Sequence, residues 1–360
     1  MPKSVQRIRY PPFEHAHMKP KELPIIQSLV ETEHIPIPNF TIGSEDGWFI
    51  EWRSPTADEE GLIAEEAEIG TAIPGFISRS RVGWFIDPDP LHNISRIVIA
   101  PTVGLLIISL FIHAIEPGLV EWGVISSSVA GSFQLGPLEY PKLLMIAFPI
   151  FLLPLLFRMI ANLRDFARQK HLIKSNFDSP EITLAVSRSS VKISDFSHSS
   201  NLSLIKSRVQ VGAVVPKRTE VLHALGRDEG GQPSPGMSTI FSQKRIAAGD
   251  EEGTGVGEFT PMLISDSKPF LLEPMRIMDT GSWVEYEGNC QGSEMIPPLY
   301  WPGTIYSPLI AIHWEAIFVF QRQSGHIFKW VQPIEMSHSK SRTCIQNAPV
   351  RSGRAELSNQ

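Results

Sequence analysis

Hydrophobic positions along this chain follow three different rhythms. In the first, whole stretches are apolar. Ile97–Ile115 reads IVIAPTVGLLIISLFIHAI, nineteen residues without a formal charge, bounded by Arg96 and Glu116. Leu143–Leu163 reads LLMIAFPIFLLPLLFRMIANL and is uncharged as far as Phe157. Both are apolar around the full helical circumference instead of along one stripe, so neither reads as an amphipathic surface helix. At 1.5 Å per residue, the first nearly crosses a hydrocarbon core of about 30 Å. Its twelve Leu, Ile, Val and Phe residues favour insertion by about 4–7 kcal/mol. The pattern predicts a membrane protein with a two-helix transmembrane hairpin, spans at 97–115 and 142–163, within residues 96–163. Pro101, Pro149 and Pro154 predict kinks, and Arg158 is placed to snorkel toward the near interface. The connecting loop, 116–141, is rich in small residues and carries Trp122, Phe133 and Tyr140. It suits a segment lying on the outer surface, a re-entrant dip or a short β-hairpin.

The second rhythm is alternation, and it begins after about residue 175. Glu181–Ser187, Ser190–Phe196, Ser207–Val215, Met262–Ile264, Phe270–Met278, Ser282–Glu287, Ile305–His313 and Ala316–Gln321 each read as strands. The last is followed by Ser324-Gly325 and then His326–Val331, which predicts a hairpin with a tight turn. Many short strands and few helical windows predict an all-β soluble domain, sandwich or barrel-like, over 175–335. Residues 226–257, rich in glycine and proline, read as a flexible insertion. The polar stretch 336–360 reads as a disordered tail.

The third rhythm is a repeat. Residues 1–95 are Pro-rich and loop-rich, with one short helix predicted near Glu59–Glu68. Within them Ile37–Glu51 reads IPNFTIGSEDGWFIE and Ile73–Asp87 reads IPGFISRSRVGWFID. The copies share Ile, Pro, Phe, Ser and the block Gly-Trp-Phe-Ile followed by an acid, but two copies do not make a solenoid. Each offers an apolar entry, a polar turn and an aromatic, strand-like exit. Such units can pair and bury Trp48, Phe49, Trp84 and Phe85 together, or present those aromatics to a partner or a membrane surface. Gly83-Trp84-Phe85-Ile86-Asp87-Pro88 resembles the short Gly-Trp-Tyr-Pro-Asp-Pro motif found beside membrane spans in some bacterial proteins. The Trp-Asp-Gly continuation of that motif is absent here, and the resemblance implies no activity.

Charge adds orientation. Arg79, Arg81 and Arg96 precede the first span, and Arg158, Arg164, Arg168, Lys170 and Lys174 lie at or beyond the end of the second. The loop between has no Lys or Arg but holds Glu116, Glu121 and Glu139. The positive-inside rule then predicts a multi-pass protein with both termini cytoplasmic. The opening residues contain no apolar run of signal-peptide length, so the first span is expected to do the targeting. A net charge of −6 gives no broad basic field, which argues against nucleic acid as a partner. Cys290 and Cys344 are the two cysteines of the chain, too few for a disulfide framework or a Cys-rich zinc site.

The search for chemistry is mostly negative. There is no His-Glu-x-x-His and no Gly-x-Ser-x-Gly. Ser-x-x-Lys occurs four times in a serine-rich chain, too often to be specific. The glycines between Gly249 and Gly257 are surrounded by Asp250, Glu251, Glu252 and Glu258, which would repel a phosphate. His15, His17 and His34 lack rigid elements to converge on a metal. His113 is the ionisable residue within the first span, about one turn from its outer end; it reads as an interfacial histidine, with a proton relay as the alternative. His313 and Glu315 lie two apart, so on a strand they face the same side and Glu315 can orient the ring. No catalytic residue, cofactor or metal is assigned. The expected function is a membrane-anchored binding or scaffold module that presents a cytoplasmic β-rich domain to a protein or lipid partner, or to a second copy of itself. Trp48, Phe49, Trp84, Phe85, His113, His313 and Glu315 are its candidate interface residues. The alternatives are a membrane-associated enzyme with a site in the C-terminal domain, and an accessory subunit of a membrane complex.

Overall fold

The computed structural model describes residues 1–11, 19–32, 38–67, 69–74, 81–126, 130–174, 179–198, 201–215, 262–263, 275–288 and 290–351. His15, His17, His34, the 226–257 insertion and much of the second repeat copy lie outside them. The chain divides into two compact units: Pro88–Arg168, and a β unit made of Met1–Asp87 together with Gln169–Gln360.

The β unit begins with β1 (Lys3–Arg9), β2 (Ile26–Glu31), β3 (Phe40–Gly43), β4 (Phe49–Arg53), β5 (Glu65–Glu66) and β6 (Gly83–Ile86). After the helical unit it continues with β9 (Glu181–Val186), β10 (Val191–Ser197), β11 (Leu202–Val214), β12 (Met262–Leu263), β13 (Met278–Thr280), β14 (Val284–Glu285), β15 (Glu294–Met295), β16 (Ile305–Tyr306), β17 (Ala311–Arg322), β18 (Ile327–Ile334) and β19 (Thr343–Ile345). These strands form a six-stranded sheet in the order β19-β3-β4-β1-β2-β5 and a three-stranded sheet β15-β10-β9. An eight-stranded sheet runs β12-β6-β18-β17-β11-β13, with β14 beside β11 and β16 beside β17. Among the described residues no sheet closes into a barrel.

Several expectations are corrected here. The N-terminal residues 1–95 are not a region apart, because β6 pairs with β18 and β19 pairs in parallel with β3. Pairing between strands more than 240 residues apart leaves no trace in local periodicity. The same pairing gives part of the expected disordered tail a fold: Thr343–Ile345 is the edge strand of the six-stranded sheet. The helix expected near Glu59–Glu68 is a turn followed by β5. Glu59 is held there by Arg53, and it accepts from the Thr56 N–H and hydroxyl, a closed local turn with no continuation. Ile305–His313 is two strands, since Ser307 to Ile310 reverse the chain and β16 folds back on β17. The 316–331 hairpin forms as expected, with Gly325 at φ 85° in its turn.

One apolar core joins the two ends of the chain. Phe40, Ile42, Ile50 and Trp52 from the first sheet share it with Trp84, Trp314, Phe318, Phe320 and Phe328. Each such side chain contributes about 1.5–3 kcal/mol through burial. The two Gly-Trp-Phe-Ile exits differ: Gly83–Ile86 is strand β6 throughout, whereas Gly47 and Trp48 lie in the turn and only Phe49 and Ile50 enter β4. The strands also lie in different sheets, β4 between β3 and β1 and β6 between β18 and β12. Gly43, in the first copy, has φ 87°, and a Cβ there would meet the Trp48 carbonyl at 2.0 Å. Only glycine lets β3 turn into β4 at this position.

The helical unit contains α1 (Leu91–Glu121), a hairpin of β7 (Ser132–Leu135) and β8 (Leu138–Pro141), and most of α2 (Lys142–Lys174). α1 extends past its expected span at both ends, and α2 past its C-terminal end only, into polar sequence. The loop between them is the short β-hairpin. Glu116 ties it down: it accepts from the Gly131 N–H and lies 2.9 Å from His113 Nδ1, while Lys142 Nζ donates to the Ala130 carbonyl at 2.9 Å.

What these helices bury is unusual. On α1 the buried residues are His92, Ser95, Thr102, Ser109 and Glu116, and the last four recur every seven positions. On α2 Ala147, Pro154 and Ala161 are buried with the same spacing. The two stripes meet where Ser95 Oγ donates to the Pro154 carbonyl at 2.8 Å. The hydroxyls of Thr102 and Ser109 bond back to carbonyls of their own helix, so they add no unsatisfied group. At the base, Asp165 accepts from the Asp89 N–H, from His92 Nε2 at 3.0 Å and from Arg168 at 2.7 Å. The large apolar side chains point away: Ile97, Ile108, Phe111, Ile115, Ile146, Leu155 and Met159 are all exposed.

Candidate functional site

Strand β17 is buried on both faces, and the two faces differ. Ile312, Trp314, Ala316, Phe318 and Phe320 enter the apolar core. The alternate residues, His313, Glu315, Ile317 and Val319, face the other way, because side-chain direction reverses at each step. Cross-strand register builds a polar surface on that second face. Gly212 of β11 stands opposite His313, Gln210 opposite Glu315, Arg208 opposite Ile317 and Lys206 opposite Val319. From the other side Val331 stands opposite Ile317 and Lys329 opposite Val319, with Phe85 of β6 beside Lys329.

One end of this face is a closed hydrogen-bond network. His313 Nδ1 is 2.7 Å from Tyr306 Oη, and Nε2 is 3.0 Å from Glu315 Oε2. Arg81 grips the same carboxylate with two nitrogens, at 2.9 and 3.2 Å, and Gln210 Nε2 donates to it as well. Burial would raise the Glu315 pKa, but the Arg81 charge and the bonds from His313 and Arg81 outweigh it and hold the carboxyl below its usual range. Burial lowers the His313 pKa, with Glu315 opposing, so the ring is neutral at pH 7. An ionised Glu315 accepts only, which places the ring proton on Nε2 and leaves Nδ1 to accept from Tyr306. Burial, reinforced by Glu315, raises the Tyr306 pKa and keeps that phenol protonated. Every proton in the chain from Tyr306 through His313 to Glu315 is committed. Gly212 lies beside this network, where a Cβ would stand 2.7 Å from Met275 Sδ.

The other end is cationic. Lys206 Nζ lies 4.5 Å and the Arg208 guanidinium 4.3 Å from the Trp283 ring centroid. Lys329 Nζ donates to Asp87 Oδ1 at 2.6 Å. Burial lowers the Lys329 pKa against the pull of Asp87, and repulsion from Arg208 and Lys206 adds to it. Burial, with repulsion from Arg351, brings Arg208 down to about 10. Phe85, Ile317, Val331 and Trp283 form a small apolar cluster beside these cations.

The sequence-derived candidates are thus distributed unevenly. His313 and Glu315 do meet, as their spacing implies. Both are fully buried, so neither is an exposed interface residue. Phe49, Trp84 and Phe85 are buried and Trp48 is partly buried against the core. Trp84 packs edge-on against Phe320 and Trp330, an interior role and not a membrane-surface one. His113, partly exposed, sits apart in the helical unit beside Glu116. Arg81, Gln210, Tyr306, Lys206, Arg208, Lys329 and Trp283 were not singled out from sequence. One signal was available: in Lys206-Ser-Arg208-Val-Gln210 polar residues occupy alternate positions of a run that is otherwise largely apolar. Among the described residues no group of three or more His, Cys, Asp or Glu is placed to hold a metal ion. No family model, curated protein or solved structure matches this chain.

Proposed function

We propose that this chain is an integral membrane protein whose helical hairpin anchors a cytoplasmic β-rich unit, and that the β unit serves as a binding or scaffold module. The observation that carries the anchor is the inverted burial of the hairpin. Large apolar side chains cover its outside, while serine, threonine and alanine line the heptad stripes inside. In lipid nothing is gained by hiding leucine from the tails, so helices associate through small residues and interhelical hydrogen bonds. Only 11% of the most apolar window of each helix is buried, which is the reverse of a soluble core. The basic residues flanking the helices support cytoplasmic termini.

The binding role rests on the character of the buried face. An enzyme reading would centre on Tyr306, His313 and Glu315. Both ring nitrogens of His313 and both oxygens of Glu315 are engaged within the protein, and a reactive group must also meet a substrate. The network fits a clamp that joins β11, β16, β17 and Arg81, just before β6, better than it fits a reaction centre.

Alkaline extraction of membranes carrying the full chain tests the anchor, and the protein should stay with the membrane pellet. Release into the supernatant sinks the anchor. Orientation is read in the same cells from Cys344, which is exposed. A membrane-impermeant thiol reagent should label it only after lysis, and labelling in intact cells reverses the topology.

A further inference from the structure

The strands that end the sheets of the β unit are mostly too short to recruit another strand. β5, β12 and β15 have two residues each, and β13 and β19 have three. β9 is the exception. It runs for six residues, Glu181–Val186, ends the three-stranded sheet, and pairs with β10 alone among the described residues. Proteins usually blunt such an edge with charge, proline or a bulge. From Ile182 to Val186 this edge has neither charge nor proline, and the irregularity of the pair lies in β10, between Ile193 and Asp195.

Hydrogen bonds fix which backbone groups face outward. The Ser187 N–H donates to the Ser190 carbonyl in the β9–β10 turn, so the odd-numbered residues of β9 turn their N–H and C=O toward β10. Leu184 stands opposite Ile193, whose N–H donates to Ser293 and whose carbonyl accepts from Gly292, both away from β9. The N–H and C=O of Leu184 and Val186 therefore point to the open edge. The Ile182 carbonyl points the same way, and Gln332 Nε2 donates to one side of it at 3.3 Å.

The sequence of the edge is complementary to itself. We infer that β9 pairs antiparallel with β9 of a second copy of this chain, about a twofold axis at Leu184. In that register Leu184 faces the partner's Leu184 and Ile182 faces the partner's Val186, apolar against apolar. On the exposed face Thr183 meets the partner's Ala185, and Glu181 meets the partner's Ser187, so no like charges stand opposite each other. A shift of two residues either way leaves one outward-facing residue unpaired. In the next strand Lys192 stands beside Ala185 and Asp195 beside Thr183, with Glu294 beyond Lys192. Each row across the seam then reads Glu294, Lys192, Ala185 in one copy and Thr183, Asp195 in the other, with charges alternating in sign. The pairing supplies the partner for the binding-module reading and rests on it.

The experiment uses the full chain in a neutral detergent, its mass followed by light scattering through a dilution series. A dimer that dissociates on dilution is expected. Thr183 and Ala185 are exposed, so substitutions there should leave the melting temperature of the monomer unchanged. Thr183→Lys/Ala185→Lys sets lysine opposite lysine twice and should weaken the dimer about tenfold. Mixing that variant with Thr183→Glu/Ala185→Glu should restore it. In this register Thr183 and the partner's Ala185 form a non-hydrogen-bonded pair, with Cα atoms about 4.5 Å apart, which a disulfide can span. Thr183→Cys/Ala185→Cys, made with Cys344→Ser, should therefore give disulfide-linked dimers on oxidation. A chain that is monomeric at every concentration overturns the pairing. So does a dimer that the lysine variant leaves unchanged, because another surface then holds it. Alkaline extraction reads the anchor and a turnover screen reads the binding role, so each reading fails in its own experiment.

Discussion

Ser95, Thr102, Ser109 and Ala161 fill the interior of the hairpin, whereas Trp314, Phe318, Phe320 and Trp84 fill the interior of the β unit. The outsides are reversed as well. Phe111 is 70% exposed on α1, while exposed positions of β9 and β10 include Glu181, Thr183, Lys192 and Asp195. The same twenty amino acids are sorted in opposite directions within one chain, and that difference is what the anchored reading of the hairpin rests on. Water rewards hiding large apolar surface. A hydrocarbon medium does not, and leaves close approach and hydrogen bonding to hold helices together.

The sharpest test of this contrast is a pair of phenylalanine substitutions. Phe320→Ala should cost the β unit about 3–5 kcal/mol, through lost burial and the cavity left behind. Phe111→Ala should change stability by less than about 0.5 kcal/mol, because no packed interior surrounds it. Chemical denaturation of the full chain in detergent, followed by tryptophan fluorescence, measures both. A large loss from Phe111→Ala would mean that the hairpin's outer face is covered by protein.

The polar face of β17 offers a second break point, since it places charge inside the β unit. Glu315→Ala removes the buried carboxylate that His313, Arg81 and Gln210 all bond, which should cost about 3–5 kcal/mol. If the loss is below about 1 kcal/mol, the network is not holding the strands together. A smaller effect, about 1–3 kcal/mol, is expected from Ser95→Leu, which overfills the seam where α1 meets α2. Were the hairpin instead a soluble pair short of apolar contacts, this larger side chain would stabilise it.

The smallest effect is a pH slope. The folded state keeps His313 neutral at pH values where an unfolded histidine, with a pKa near 6.5, is already protonated. The unfolded chain therefore binds more protons as the pH falls below about 6.5. The stability that His313 contributes above that pH is then lost as the pH approaches the lower folded value. The slope is at most about 1.4 kcal/mol per pH unit for each such histidine. Glu315, held below its usual range, adds a further loss only in the acid region under about pH 4. His313→Gln should flatten the stability profile between pH 6.5 and 5. A remainder should persist from His338, whose pKa burial also lowers. An unchanged slope in His313→Gln would show that the ring is protonated in the folded state.

Some of this molecule is legible in its amino acids alone. The two apolar helices follow from runs such as Ile97–Ile115, because helical hydrogen bonds are local and composition sets hydropathy without reference to the rest of the chain. The strands at 181–186, 191–197 and 327–334 follow from alternation, and the 316–331 hairpin from its Ser-Gly turn. The meeting of His313 with Glu315 was legible because both lie on one strand two positions apart. Other features were decided only by the tertiary structure. The sequence does not say that β6 pairs with β18, or that Cys344 sits on a strand beside β3, since a strand's partner is chosen by the packing of the whole unit. Arg81 reaches Glu315 across 234 positions, and Lys206 and Lys329 share a patch only because both pair against Val319. Burial of the serines and alanines of the hairpin is likewise a property of two helices in contact: one helix alone shows where its small residues recur, but not what faces them.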